Sequence, residues 1–413
     1  MSRSITCRFC GSRLTRSFID LGVSPLCQSH ITNATLNQME PFYPLHAMVC
    51  ETCLLVQLDQ YVMASDIFSE YAYFSSFSDS WVQHAQEFVE MARHRFDIDQ
   101  QSFVVEVASN DGYLLQHFLT HDVPCLGVEP AENVAAAAKE KGIESLCAFF
   151  GAETAESIKH KYRGADLIVG NNVLAHVPDL NDFVAGMKIL LAENGVICGE
   201  FPHLLELIEQ SQFDTIYHEH FSYFSFLTVR RVFRQHGLDI FDVEQLPTHG
   251  GSLRIYAQHR SCGREISSTV KQLLDLERAQ GYECLETYSS FQSKVNKIKH
   301  ELLAFLIDAK RDGKRIAGYG APGKGNTLLN YCGIGRDFLD YTVDRNPYKQ
   351  GKYTPGTRIP ILAPERIRET RPDYLLVLPW NLRDEIAASH AYISQWGGRF
   401  VVPIPELEVF DAP

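Results

Sequence analysis

Four cysteines fall in two pairs, Cys7-x-x-Cys10 and Cys50-x-x-Cys53. Each pair sets two thiolates on one tight turn, and two such turns close a tetrahedron around Zn2+. No general base stands nearby, so the expected site is structural rather than catalytic; the competing reading is reduced, unmetallated thiols. The densest chemical signal is Tyr217-His218-Glu219-His220, extended by Phe221-Ser222-Tyr223. An imidazole there can take a proton from a carbon acid near neutral pH. A neighbouring carboxylate can orient the ring, and a tyrosine can donate to a developing enolate oxygen. His218-x-His220 could instead chelate a metal from a strand, and the plainest alternative is structural hydrogen bonding. The His-Glu-x-x-His helix motif is not met.

Two further stretches suit ligands. A strand ending in Glu106-Val107-Ala108-Ser109-Asn110-Asp111-Gly112 leads into a helix, and the next strand ends in Glu129. Small residues let a ligand approach the backbone, and a carboxylate at Glu129 can accept from both ribose hydroxyls. The G-x-G-x-x-G fingerprint is absent, which favours S-adenosylmethionine (SAM), a nucleoside without phosphate, over a dinucleotide. The competing reading is an ordinary turn, with Glu129 as an acid at a helix N-terminus. Gly170-Asn171-Asn172-Val173-Leu174-Ala175-His176 leaves the carboxyl edge of the same expected sheet. Turn chemistry would explain the asparagines, and a satisfied core histidine would explain His176. Gly318-Tyr319-Gly320-Ala321-Pro322-Gly323-Lys324-Gly325-Asn326-Thr327 could cradle a diphosphate, or serve close strand–helix packing. It is not a Walker A sequence, because Gly325 follows Lys324. Thr248-His249-Gly250-Gly251 reads as a turn entering a strand.

The elements that must position these residues alternate. Strands are expected at 103–107, 126–129, 166–169 and 196–201, with helices at 113–119, 133–141 and 183–191 between them. Such alternation indicates right-handed βαβ units and a largely parallel sheet. Residues 267–310 read as helical, with Val295, Ile298, Leu302, Phe305, Leu306 and Ala309 near one stripe and Gly313 as the stop. A second α/β series follows through 315–320, 341–344 and 374–378.

A length of 413 residues predicts two or three domains. Hydrophobic residues at 45% and charged residues at 22% exclude a mostly disordered chain. A net charge of −13 opposes non-specific binding to nucleic acid or anionic membrane. No apolar run spans a bilayer, and the first ten residues lack the core of a signal peptide. A cytoplasmic protein is expected. The other seven of the 11 cysteines are scattered and read mostly as buried, reduced thiols.

The order of motifs is more specific than any one of them. EVASNDGYLL, GVEPAENVA, NNVLAHVPD, EFPH, FDTIYHEHFSYFS, THGGSLR, GYGAPGKGNTLLN, VDRNPYKQG and LPWNLRDEI follow the paired cysteines. Along nearly its whole length the chain resembles the SAM-dependent C-methyltransferases of deoxysugar pathways. The resemblance implies an α/β protein in three parts: a zinc-binding domain at 1–65, a Rossmann-like SAM methyltransferase domain at 66–300, and a Rossmann-like nucleotide-sugar-binding domain at 301–413. It implies zinc on Cys7, Cys10, Cys50 and Cys53, and SAM among Ala108, Asn110, Gly112, Glu129 and Asn171. His220 would be the general base, assisted by Tyr217, Glu219 and His176. Tyr73, Ser76, Lys324 and Asn326 would contact the substrate. That substrate would be a nucleotide-linked 4-keto-6-deoxysugar, with TDP as the commonest carrier, methylated beside its ketone through an enolate. No nucleic acid or membrane partner is expected, and the protein would be a monomer or dimer. Two alternatives are an NAD(P)-dependent nucleotide-sugar oxidoreductase using the second glycine-rich loop, and a zinc-ribbon binding module.

Overall fold

The computed structural model describes residues 5–63 and 74–412. The chain forms two compact units, each assembled from separated stretches. The first comprises Met1–Thr15, Cys50–Leu204 and His220–Cys284; the second comprises Arg16–Val49, Leu205–Glu219 and Leu285–Pro413.

The first unit is built on seven strands: β1 (Val104–Val107), β2 (Cys125–Val128), β3 (Ser145–Leu146), β4 (Ala165–Asn171), β5 (Leu191–Pro202), β6 (Leu238–Leu246) and β7 (Ser252–His259). Their order is β6-β7-β5-β4-β1-β2-β3. Strands β1 to β5 run parallel, while β7 pairs antiparallel with β5 and β6 antiparallel with β7. All four residues of β1 are buried, as a central parallel strand of Val-Val-Glu-Val requires. The helix Asp79–Phe96 buries Phe88, Val89 and Ala92 in a core shared with Leu115, Phe118 and Tyr256. It is capped by Ser78, carries Asp79 in its first turn and Arg93, His94 and Arg95 in its last, and stops at left-handed Asp97. The parallel order sends the carboxyl ends of β1, β2, β4 and β5 to one edge, where open α/β sheets bind ligands.

The second unit carries β8 (Ile316–Tyr319), β9 (Thr342–Val343), β10 (Ile361–Leu362), β11 (Tyr374–Val377), β12 (Arg399–Val402) and β13 (Glu408–Phe410). Their order is β10-β9-β8-β11-β12-β13, parallel except for the last pair. An antiparallel hairpin of Arg16–Ser24 with Tyr43–Val49 also belongs here, and its Phe18 stacks on Phe291 at 4.8 Å. The helical stretch expected over 267–310 is three helices: Ser268–Ala279, Leu285–Ser289 and Phe291–Arg311. Gly281, at φ +81°, ends the first. The last buries Val295, Ile298, Leu302, Leu306 and Ala309, and left-handed Gly313 stops it. Among the described residues no helix is long and apolar enough to cross a membrane.

A helix buries N–H groups at its start that its own turns cannot satisfy. In the first unit, helix Phe226–Gln235 solves this with a carboxylate from another helix. Glu277 is fully buried and accepts from Phe226 N at 2.6 Å and Leu227 N at 2.7 Å. The same carboxylate meets His203 Nε2 at 2.7 Å. Glu277→Ala strands a buried imidazole and two backbone donors, so it is expected to cost about 3–5 kcal/mol. Urea unfolding checks this; a loss below about 1 kcal/mol contradicts it.

Candidate active site

The four knuckle sulfurs lie within 4.8 Å of one another. Cys7 Sγ is 3.5 Å from Cys53 Sγ, and Cys10 Sγ is 3.5 Å from Cys50 Sγ. A tetrahedron of ~2.3 Å zinc–thiolate bonds needs sulfurs about 3.8 Å apart, so the cradle fits the ion. Gly11 N on Cys7 O and Leu54 N on Cys50 O close the turns, with Gly11 and Leu54 both left-handed. Arg8, inside the first knuckle, donates to Pro178 O at 2.6 Å and to Leu58 O, and lies 5.3 Å above the Phe221 ring. Burial pulls its guanidinium down to about 10.

Those contacts reach the histidines. Phe221 N donates to Ala175 O at 2.7 Å, which joins the residue after His220 to the residue before His176. The strand Ser222–Tyr223 then pairs with Val56–Leu58 of the zinc segment. The His176 and His220 rings meet edge-on at 4.6 Å, and Tyr223 lies 6.1 Å from His220. His220 is buried and His176 half-buried.

In the SAM-type loop, Ala108, Asn110 and Gly112 all have positive φ. Glu129 receives Asn110 N at 3.0 Å and Ala131 N at 2.9 Å, which clamps the loop onto the end of β2. Each carboxylate oxygen keeps a second lone pair for a hydroxyl. The φ of +76° at Gly112 favours glycine, and a Cβ there would also push the Ile143 side chain, whose Cδ1 would lie 2.0 Å away. Asn110 Oδ1 accepts from Ser75 N, and Lys141 joins Ser76 Oγ at 2.7 Å to Asp111 Oδ2 at 3.0 Å. Ser76 therefore lies at the loop of the expected nucleoside site. Tyr73 lies outside the described residues.

Sequence reasoning missed Glu106 as a site residue. It is buried, and burial first, then the charges of Glu129 and Asp111, push its carboxyl well above the usual range. Glu106 Oε2, Ser109 Oγ, Asp111 Oδ1 and Asn171 Oδ1 are buried with no hydrogen-bond partner among the described residues. Such an acidic, under-satisfied cradle suits a cationic ligand, and SAM carries a sulfonium and an ammonium. Also missed was a buried network beside it. Glu200, opposite Asn171 in register, meets Arg254 at 2.6 Å and His84 Nε2 at 3.0 Å. Burial alone would raise Glu200, but His84 and Arg254 more than offset it and hold the carboxyl below its usual range. Trp81 stacks on His84 at 4.9 Å and lies 5.2 Å from His249, which is left-handed.

The second unit holds Tyr217, His218 and Glu219. His218 Nε2 faces Pro44 O at 3.1 Å, and burial pushes the ring's pKa down. Glu219 is buried and accepts from Cys27 Sγ at 3.2 Å; Tyr217 is half-buried. Among the described residues only the four cysteines gather ligands for a metal. Lys324 and Asn326 open the helix Gly323–Cys332, after β8. Lys324 Nζ donates to Asn381 Oδ1 at 2.8 Å, and Asn326 Nδ2 is buried with no partner among the described residues.

Comparison with known proteins gives the family. The chain is 36% identical over 406 residues to "C-methyltransferase NovU" of Streptomyces niveus, covering 98% of this chain and 97% of that protein. The chain belongs to this C-methyltransferase family. Family profiles match a "Putative zinc binding domain" at 7–68, a "Methyltransferase domain" at 81–243 and a "C-methyltransferase C-terminal domain" at 247–405. Among solved structures, a SAM-dependent methyltransferase of Clostridium acetobutylicum aligns at 11% identity and TM-score 0.35, covering 43% of this chain and 92% of that one. The SAM complex of magnesium protoporphyrin IX methyltransferase from Synechocystis aligns at 13% and TM-score 0.35, covering 49% and 100%. This C-methyltransferase thus takes SAM as methyl donor and zinc as a structural ion, and the oxidoreductase and binding-module readings are set aside.

Two outcomes follow from the cradles. Cys50→Ser should release zinc, with metal content by mass spectrometry falling from about one ion per chain and the melting temperature falling with it. SAM binding should expel protons, because a cation favours the ionised form of the raised carboxyls Glu106 and Glu129. Affinity should therefore rise with pH upward from the ordinary carboxyl value of about 4.3. Calorimetry in two buffers of different ionisation heat reads the protons, and Glu106→Gln should reduce their number; an unchanged number refutes the role.

Proposed function

We propose that this C-methyltransferase methylates a carbon adjacent to the ketone of a nucleotide-linked 4-keto-6-deoxysugar, with TDP as the first carrier to test, in the cytoplasm. The observation that carries the reading is the His176–His220 pair, in the unit that also holds the acidic SAM cradle. Oxygen and nitrogen attack a methyl donor with existing lone pairs. Carbon must first lose a proton, so a C-methyltransferase needs a base and an acidic C–H bond. A neighbouring ketone supplies that acidity.

In this reading Ala108, Asn110, Gly112, Glu129 and Asn171 hold SAM, which supplies an electrophilic methyl on a sulfonium. His220 removes the proton beside the ketone, and the C–H electron pair moves into an enolate. Tyr217 or His176 donates to the enolate oxygen, and Glu219 assists the cluster. The enolate carbon then takes the methyl as the S–C bond breaks. The products are the methylated sugar and S-adenosylhomocysteine, and His220 returns its proton to water. Lys324 and Asn326 contact the substrate, as does Ser76 from the loop side; Tyr73 is a further contact carried from the family resemblance. The three-part division at 1–65, 66–300 and 301–413 is retained as the functional organisation.

The test is mass spectrometry of purified protein with SAM and a panel of nucleotide-linked 4-keto-6-deoxysugars. One sugar should gain one methyl, and His220→Ala should lower turnover by about 10²–10⁴-fold with SAM binding intact. Methylation that survives in the variant at the parent rate rejects His220 as base.

A further inference from the structure

The segment that carries Tyr217 and Glu219 is held by contacts that the chemistry alone does not require. Asp214 is fully buried, and its Oδ2 accepts from Trp380 Nε1 at 2.8 Å. Trp380 begins the turn Trp380–Leu382 after β11. Two residues on from Asp214, Ile216 O accepts from Thr327 Oγ1 at 3.0 Å. One residue before it, the Phe213 ring meets Tyr331 edge-on at 5.5 Å. Thr327 and Tyr331 both belong to helix Gly323–Cys332, which starts in the glycine-rich loop. At the far end, Cys27 Sγ donates to Glu219, and a Cβ on Gly323 would lie 3.1 Å from that sulfur.

One helix thus braces the segment at Phe213 and Ile216, and lies against the cysteine that holds Glu219. Trp380 gives Asp214 its side-chain hydrogen bond on Oδ2, while the other oxygen, Oδ1, has no partner among the described residues. Lys324 Nζ lies 4.4 Å from the centre of the Trp380 ring, so the indole joins the glycine-rich loop to the segment. Leaving a buried carboxylate without that N–H is costly, and the backbone would move to find another donor.

We propose that Trp380 and Asp214 are positioning residues for Tyr217 and Glu219, acting through the Asp214–Glu219 backbone. The proposal rests on the catalytic roles given to those two side chains above. Trp380→Phe keeps an aromatic ring at this buried position and removes the indole N–H together with the five-membered ring that bears it. A displacement of about an ångström in catalytic groups can cost 10²-fold, so kcat is expected to fall about tenfold or more. KM and Kd for SAM should hold within about twofold, because the SAM cradle lies in the other unit. Asp214→Asn retains an acceptor and should lose about threefold at most, whereas Asp214→Ala should match Trp380→Phe. The Trp380→Phe/Asp214→Ala double variant should be no worse than either single one, since both remove the same bond.

Assays run well below each variant's melting temperature separate this from lost stability. Hydrogen exchange gives a readout free of turnover: amides of 213–219 should exchange faster in Trp380→Phe, while those of 104–112 do not change. Parent-like kcat in Trp380→Phe, double-variant losses that multiply, or unchanged exchange at 213–219 each overturn the proposal. A parent protein that methylates no sugar in the panel, yet shows the exchange change, overturns the sugar reading and leaves the Asp214 anchor standing.

Discussion

The guanidinium of Arg8 is the contact on which the arrangement of His176 and His220 leans. It sits between Cys7 and Phe9, inside a turn that the knuckle thiolates lock. From there it donates to Pro178 O, two residues past His176, and covers the ring of Phe221, next to His220. A guanidinium holds several donors in one rigid plane, so it can fix two backbone segments at once where an ammonium would fix neither orientation. The imidazole pair inherits that rigidity. Two rings 4.6 Å apart on separate loops would otherwise move independently. Gln57 completes the link: it accepts from Arg8 N, donates to Cys7 Sγ, and stands in the strand that pairs with Ser222.

Buried carboxylates define the rest. Each is expensive to remove from water, and each is matched differently. Glu277 is spent on structure: it accepts two helix N–H groups and meets a buried histidine. Glu200 is paired by Arg254 and His84, which ties β5, β7 and helix Asp79–Phe96 together just behind Asn171. Glu106 has no such cation and is pushed toward its protonated form. The difference separates scaffold from site. A carboxylate whose charge is already balanced holds the fold, while one left short of a positive partner has capacity for a cationic ligand.

How much of this a sequence can reveal depends on the distance over which each signal acts. The zinc ligands were legible because each pair closes within a single turn. The βαβ series was legible because buried β-branched runs, such as Val104–Val107, and helices at nearby ranges alternate locally. At Gly112 the sequence shows the small residue but not its neighbour Ile143, 31 positions on, which only the folded chain brings beside it. His218 looked as reactive as His220, yet it turns to Pro44 O, a carbonyl 174 residues away. Glu200–Arg254 and Asp214–Trp380 were invisible for the same reason: partners 54 and 166 residues apart have no spacing to recognise. EFPH, LPWNL and FDTIYHEH could be quoted as motifs, but nothing in their letters says which residue bonds to which.

The zinc segment can be understood from the size of what it must hold. Only Met1–Thr15 and the stretch from Cys50 belong to the first unit, the hairpin between them belonging to the second, so the knuckles are short turns without a packed domain of their own. Flexible loops could bury Arg8, but they could not fix where its donors point. Four metal–sulfur bonds supply local stiffness at the cost of four residues, and that stiffness is delivered through one side chain to the loops bearing His176 and His220. The metal therefore contributes through the turn it closes around Arg8. It turns a short N-terminal segment into a fixed reference for the histidine pair, just as β1 and β2 provide a fixed reference for the cradle around Glu106 and Glu129.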